Sequence, residues 1–146
     1  MPCRHLAPTL ALAALATSFA LPPAFAADFP TRKAGVWETT MAMNGGAPFT
    51  NRMCFSPEVE KKVQETTAAS CTRYEVRRDG AAWVIDSTCE IGSKPTTGRV
   101  TTTGDFTSWI HAEVASESGG EKTSMTIDAK WLRACGPNDK PGAIVK

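Results

Sequence analysis

The sequence predicts a mainly β domain, formed by a single antiparallel, strongly curved sheet or partly open barrel of six to seven strands with one short helix. Three observations lead to this fold class. Beyond residue 26 the chain has 16 threonines and four tryptophans but one leucine, Leu132, and threonine and tryptophan favour strands whereas leucine favours helices. Several segments alternate apolar and polar residues. The connections between these segments are mostly short, which favours an antiparallel meander.

Alternation of apolar and polar residues marks the strand segments, of which 98–103 alternates most weakly. They cover residues 35–43, 49–55, 73–78, 82–91, 98–103, 106–114 and 125–131. Asp79-Gly80 is a two-residue hairpin signal between the third and fourth segments. A helix is expected to begin at Ser56-Pro57-Glu58 and to end near Thr67, because serine is a favoured N-cap and proline a favoured first helical residue. We expect this helix to lie against one end of the sheet.

Composition limits the size and the charge of the domain. Residues 27–146 carry 15 basic and 15 acidic side chains, a balance that argues against nucleic-acid binding. Only 18 of these 120 residues are Leu, Ile, Val or Phe, so the core is thin and disulfides would have to supplement it. We therefore expect one disulfide-stabilised domain over 27–146, with 136–146 as a tail that has little to bury. No cofactor and no metal is expected.

Residues 1–26 have the pattern of an export signal. A short polar start at Arg4-His5 precedes an apolar run over 6–21, and Ala24-Phe25-Ala26 has small residues where a signal peptidase reads them. Cleavage is expected between Ala26 and Ala27, which would place the mature protein in the periplasm or outside the cell. A retained anchor would need about 20 apolar residues, and this run is shorter. No membrane span is expected after cleavage.

Four cysteines remain after the signal. They are Cys54, Cys71, Cys89 and Cys135. Their spacing contains no Cys-x-x-Cys, which argues against a thioredoxin-like redox centre, covalent haem and most structural zinc sites. We expect two disulfides, for which three pairings exist. The preferred pairing joins Cys54 to Cys71, which flank the helix, and Cys89 to Cys135.

Several motifs resemble a family of small secreted or periplasmic bacterial proteins that is classed as a domain of unknown function. The start Arg32-Lys33-Ala34-Gly35-Val36-Trp37-Glu38 is similar to the R-K-x-G-x-W-E opening of that family. The other matching pieces follow in order: Arg52-Met53-Cys54, Cys71, the strand from Trp83 to Cys89, Thr103-Gly104-Asp105-Phe106, and Lys130-Trp131-Leu132 before Cys135. The resemblance implies a periplasmic or secreted single domain and brings no catalytic residues.

The candidate site residues are one histidine and the tryptophans. His111, the one histidine after the signal, is expected on a strand face with Trp109 and Glu113, where it could perform acid–base chemistry, although strand histidines more often have no such role. The remaining tryptophans are expected to fill the core or to line a pocket for a small apolar ligand. These are Trp37, Trp83 and Trp131. Trp109, on the opposite face, is a candidate partner contact.

The sequence thus predicts an exported, non-catalytic envelope protein that binds a small apolar ligand or a protein partner. The alternative is a structural or interaction module without a small ligand, and the less favoured one is a hydrolase or redox enzyme that uses His111. A cavity lined by Met41, Ile85, Ile127 and three tryptophans would favour the ligand. An exposed Trp109 without that cavity would favour the interaction module, and a cleft joining His111 to several acids would favour the enzyme.

Overall fold

The computed structural model describes residues 28–145, so the predicted export signal and its cleavage point between Ala26 and Ala27 lie outside the described residues. The described chain contains seven strands and one helix. In chain order these are β1 (Gly35–Met43), β2 (Phe49–Phe55), α1 (Pro57–Ala69), β3 (Cys71–Asp79), β4 (Ala82–Ile91), β5 (Lys94–Gly104), β6 (Trp109–Ser118) and β7 (Glu121–Arg133). Over residues 28–145, no helix is both long and apolar enough to cross a membrane.

All seven strands form one antiparallel sheet in the order β2-β1-β7-β6-β5-β4-β3. Strands β3 to β7 are a meander, and β1 pairs with β7 on one side and with β2 on the other. The sheet remains open, with β2 and β3 as its edges. Helix α1 follows one edge strand and precedes the other, so it carries the chain from edge to edge. The predicted fold class is confirmed.

The local signals place most elements correctly. Ser56 caps α1, since its side chain accepts a hydrogen bond from the Val59 N–H at 3.3 Å. The turn between β3 and β4 is Gly80–Ala81 rather than Asp79-Gly80, because Asp79 still pairs with Ala82. Phe106, expected at the start of a strand, lies in the turn before β6 with a φ of 58° and is buried. Its side chain reaches the core from that turn.

The register separates an apolar inner face from a polar outer face. Trp37 lies directly opposite Trp131 on β7, and Ile110 lies opposite Ala129, so these four side chains share the inner face. The buried core cluster and the side chains packed against it comprise Trp37, Phe106, Ile110, Ala129, Phe29, Phe55, Trp83 and Trp131. A single sheet buries side chains this fully only when it curls around them or is covered. The inner face is therefore the face that carries the core.

Residues 28–34, which we call the N-terminal strap, cover part of the inner face. The Phe29 ring packs edge-to-face against Phe106 and Trp83, with centroid distances of 5.6 and 6.1 Å. The Lys33 N–H donates to the Phe106 carbonyl oxygen at 2.7 Å. The strap is thus joined to the turn before β6 by both packing and a backbone hydrogen bond.

The disulfide pairing differs from the preferred prediction. Cys54 is bonded to Cys135 and Cys71 to Cys89, so the expected pairs Cys54–Cys71 and Cys89–Cys135 are wrong. The reason is topological: α1 places Cys54 and Cys71 on the two opposite edge strands. Cys71 and Cys89 are instead register partners on adjacent strands. Cys54 and Cys71 are therefore close in sequence but lie on opposite edges of the sheet.

The predicted tail over 136–146 buries little, since Ile144 is 70% exposed, but its described residues pair with the edge of the sheet. The Gly142 N–H donates to the Cys54 carbonyl oxygen at 2.8 Å, and the Val145 N–H donates to that of Arg52 at 2.9 Å. Met53 and Ile144 form an antiparallel bridge between these bonds. Residues 142–145 therefore extend along the free edge of β2, next to the Cys54–Cys135 disulfide. This pairing satisfies backbone groups that would otherwise template association.

Candidate functional site

The start of the family-like motif holds the strap to the helix. Arg32 donates its backbone N–H and its Nε–H to the Glu60 carboxylate, each at 2.9 Å. Its guanidinium also lies over the Phe55 ring, 4.2 Å from the centroid. Within residues 28–145, Glu60 is the one buried charged side chain, and a buried carboxylate requires such a partner. Arg32 is therefore a structural residue.

The rest of the motif supports two indoles. The Trp37 Nε1–H donates to the Lys33 carbonyl oxygen at 2.8 Å, and the Trp131 Nε1–H donates to that of Ala34 at 3.1 Å. Gly35 lies between them with a φ of 144°, and a Cβ there would collide with the Trp131 indole nitrogen. Only glycine tolerates both this φ and the close approach of the Trp131 indole. The motif thus positions tryptophans against the core.

Asp105 organises the turn that leads into β6. Its carboxylate accepts hydrogen bonds from the backbone N–H groups of Thr107, Ser108 and Trp109 at 2.8, 2.6 and 3.1 Å, and from the Ser108 hydroxyl. The bonds from Ser108, followed by those from Thr107 and Trp109, hold the pKa of Asp105 well below its ordinary value. The carboxylate thereby fixes the backbone that carries Trp109.

The inner-face tryptophans are where the sequence predicts, and they are largely used by the core. Trp37 is completely buried, while Trp83 and Trp131 are half-buried and pack against the core cluster. Beyond them runs an apolar row of cross-strand neighbours, which we call the inner row. It consists of Met43, Met125, Val114, Val100, Ile85 and Val76. All but Met43 are half-buried, and Met43 is 50% exposed.

The fourth tryptophan lies on the outer face and remains accessible. Trp109 is 49% exposed and is the register partner of Lys130, which in turn is the partner of Glu38. These side chains border a depression of about 330 Å³, which we call the outer cleft. It is lined by Glu38, Thr40, Trp109, Ile110, Asp128, Ala129 and Lys130. Trp109 is thus the aromatic wall of a polar cleft.

The charges of the outer cleft are paired. Glu38 accepts a hydrogen bond from the Lys130 Nζ at 3.0 Å and from the Arg52 Nε at 2.9 Å. The bond from Lys130, and then that from Arg52, lowers the pKa of Glu38, so this carboxyl is ionised at neutral pH. Arg52, Glu38 and Lys130 lie side by side on β2, β1 and β7. They form a charge ladder that ends at Trp109.

His111 lies next to this ladder, on the same face. Its Nδ1 is 2.7 Å from Asp128 Oδ1, and its Nε2 is 3.9 Å from Glu113 Oε1. Glu113 and Trp109 are thus its neighbours along β6, as expected, while Asp128 on β7 was missed. The signal was present, because the turn at Gly119-Gly120 sets a register in which residue 111 faces residue 128. A carboxylate that orients a histidine also occurs in enzymes.

Other polar clusters do not converge on a metal-type site. Within residues 28–145, no group of three His, Cys, Asp or Glu side chains is arranged to hold a metal ion. A larger outer depression, of about 590 Å³, borders Asp86 and Arg99. The Arg99 Nε donates to Asp86 at 2.7 Å, and this bond is the main cause of the lowered pKa of Asp86. This pair bridges β4 and β5 as an exposed cross-strand contact.

Comparison with known proteins identifies the family but no characterised relative. The family model described as "Protein of unknown function (DUF3617)" matches residues 32–135. No curated protein and no solved structure matches the chain. The matched region begins at Arg32 of the strap and ends at the disulfide cysteine Cys135. The chain therefore belongs to the family of proteins of unknown function DUF3617.

Proposed function

We propose that this protein is an exported, non-catalytic envelope protein that binds a partner through the outer cleft. The proposal rests on the difference in burial among the four tryptophans. Trp37 is completely buried and Trp83 and Trp131 pack on the core, whereas Trp109 is 49% exposed beside charged residues. An accessible tryptophan on a polar face is a frequent anchor of binding energy.

Export is supported by two independent features. The first 26 residues have the composition of a cleavable signal, and all four later cysteines are paired in disulfides. Disulfides of this kind persist in oxidising compartments. We therefore infer a mature chain that begins at Ala27 and resides in the periplasm or outside the cell.

The non-catalytic role is supported by how the motif residues are used. Arg32, Gly35 and Trp131 hold the strap and the core together. His111 is the residue through which an enzyme would act, since Asp128 orients its ring. Hydrolase activity that is lost in His111→Gln and in Asp128→Asn would contradict the proposal.

The inner row supports a second candidate, the binding of a small apolar ligand. Met43 and its half-buried neighbours form a continuous apolar strip across six strands. Native mass spectrometry of protein purified from its own cells would show a retained apolar molecule, and Met43→Lys would release it. A bare chain mass in both proteins would contradict this candidate.

Site-specific photo-crosslinking tests the main proposal. A photoreactive phenylalanine derivative replaces Trp109 in the full chain, and a matched chain carries it at Glu117, an exposed position on the same strand and face but outside the outer cleft. We expect a discrete adduct from position 109 only, in the fraction that contains the mature chain. No adduct at 109, or the same adducts at 117, would contradict the proposal.

A further inference from the structure

The outer cleft has the chemistry of a carbohydrate subsite. We propose that it binds one ring of a neutral glycan, with the ring stacked on Trp109; this inference rests on the proposed function and specifies its ligand. A pyranose presents C–H groups on its face and hydroxyl groups around its rim. An exposed indole offers a flat apolar surface, and here polar side chains surround it.

The charge balance of the cleft favours a neutral ligand. Glu38 is paired with Arg52 and Lys130, and Asp128 is paired with His111. Each carboxylate therefore already has a cationic or hydrogen-bonding partner, and neither sign of charge is in clear excess. A phosphate or a quaternary ammonium group would have to break these pairs, whereas hydroxyl groups can share them.

Hydrogen-bonding capacity nevertheless remains. The Lys130 ammonium has three donor hydrogens, of which one serves Glu38. The Asp128 carboxylate can accept about four bonds and uses Oδ1 for His111. Both residues line the cleft with Trp109. A sugar hydroxyl, which both donates and accepts, matches this combination of free donors and acceptors.

The backbone beneath the cleft is also held in place before any ligand arrives. The Trp109 backbone N–H is held by Asp105, and the ladder from Arg52 to Lys130 spans adjacent strands. Binding therefore need not order the backbone that carries the cleft, which lowers its entropic cost. A volume of about 330 Å³ lies at the small end of the ligand pockets of roughly 300–1,000 Å³. Such a cleft holds a single ring, so we expect a Kd on the order of millimolar.

The test is an NMR titration of the ¹⁵N-labelled mature chain, in which each tryptophan indole N–H gives its own signal. The probes are the neutral trisaccharides maltotriose, cellotriose and tri-N-acetylglucosamine, with inorganic phosphate and tetramethylammonium as charged counterparts. We expect the Trp109 indole signal to move with at least one trisaccharide and the buried Trp37 signal to remain fixed. Trp109→Ala, followed through the backbone amide signals of Asp128 and Lys130 in the cleft, should weaken binding about tenfold or more, while Phe49→Ala, which removes a comparably exposed aromatic residue elsewhere, should not.

Three results would overturn the inference: no movement with any trisaccharide, movement with the charged probes alone, or unchanged binding in Trp109→Ala. The crosslinking experiment separates this failure from that of the proposed function. A discrete protein adduct at position 109 without a glycan response would support the proposed binding function and contradict the glycan inference. Failure of both experiments would contradict both the proposed function and the glycan inference.

Discussion

Arg32 and Glu60 are joined by two hydrogen bonds of 2.9 Å across 28 residues of sequence, and through them the strap is attached to α1. Replacing Arg32 with Met would leave the buried Glu60 carboxylate without its guanidinium. We expect a loss of roughly 3–5 kcal/mol in the free energy of unfolding, measured by urea denaturation. Arg52→Met, which removes one partner of Glu38 at a more exposed position, should cost less than about 1 kcal/mol. Equal effects would contradict a special role for the Arg32–Glu60 pair.

Gly35 is irreplaceable for steric reasons. In Gly35→Ala the new Cβ would meet the Trp131 indole and lie 2.6 Å from the Arg133 carbonyl oxygen, at a φ that side chains rarely adopt. Backbone strain alone costs roughly 1–3 kcal/mol, and the collision adds to it. Thermal unfolding should show this loss. Gly98→Ala is the control, since its Cβ would face a movable Ser87 hydroxyl at 3.2 Å, and it should unfold close to the parent temperature.

The two disulfides should contribute unequally to stability. Cys54–Cys135 closes a span of 81 residues and Cys71–Cys89 one of 18. In the chain-entropy model this difference is worth about 1 kcal/mol. We expect the Cys54→Ala/Cys135→Ala variant to be the less stable of the two double variants in denaturant. Peptide mapping without reduction should first recover the two native pairs, and a peptide joining Cys54 to Cys71 would refute the pairing.

Asp105 gives the domain a specific sensitivity to acid. Its pKa is lowered in the folded chain, whereas the unfolded group titrates near its ordinary value of 3.8. Its contribution to stability is therefore complete above about pH 4 and is lost as the pH falls through the lower folded pKa. Asp105→Asn should reduce stability at neutral pH and make the decline below pH 4 shallower. Glu121→Gln, at the exposed first residue of β7, is the control and should follow the parent profile.

Replacement of Trp37 should destabilise the fold, whereas replacement of Trp109 should not. Trp37→Ala removes a completely buried indole and should cost roughly 3–5 kcal/mol or prevent folding. Trp109→Ala removes a side chain that is 49% exposed and should change the free energy of unfolding by less than about 1 kcal/mol. Circular dichroism during denaturation measures both. A strongly destabilised Trp109→Ala would assign this residue to the core.

Much of the sheet could be predicted because its signals are local. The strands β1, β2 and β4 begin and end where alternation places them, and Ser56-Pro57 correctly starts the helix. The inner position of Trp37, Trp83 and Trp131 follows from the same alternation, since one strand exposes its residues to two faces in turn. These features depend on neighbours in sequence, which a single chain reveals.

The remaining features depend on contacts between distant segments. Cys135 and residues 142–145 carry no strand pattern, so their pairing with β2 had no signal in composition or periodicity. The burial of Glu60 depends on where Arg32 arrives from outside the helix. The pairing of His111 with Asp128 could have been predicted from the sequence, because the Gly119-Gly120 turn determines that register.

The pairing of Cys54 with Cys135 has a consequence for how the molecule is made. A chain synthesised from its N-terminus presents Cys54, Cys71 and Cys89 before its last cysteine exists. Oxidation in the order of appearance would join Cys54 to Cys71, whereas the native bond encloses the Cys71–Cys89 pair. Strand β1 likewise cannot pair with β7, its neighbour in the sheet, until β7 has been synthesised. The native pairs therefore form only if Cys54 stays reduced until Cys135 is synthesised, or if a non-native Cys54 disulfide rearranges by thiol–disulfide exchange.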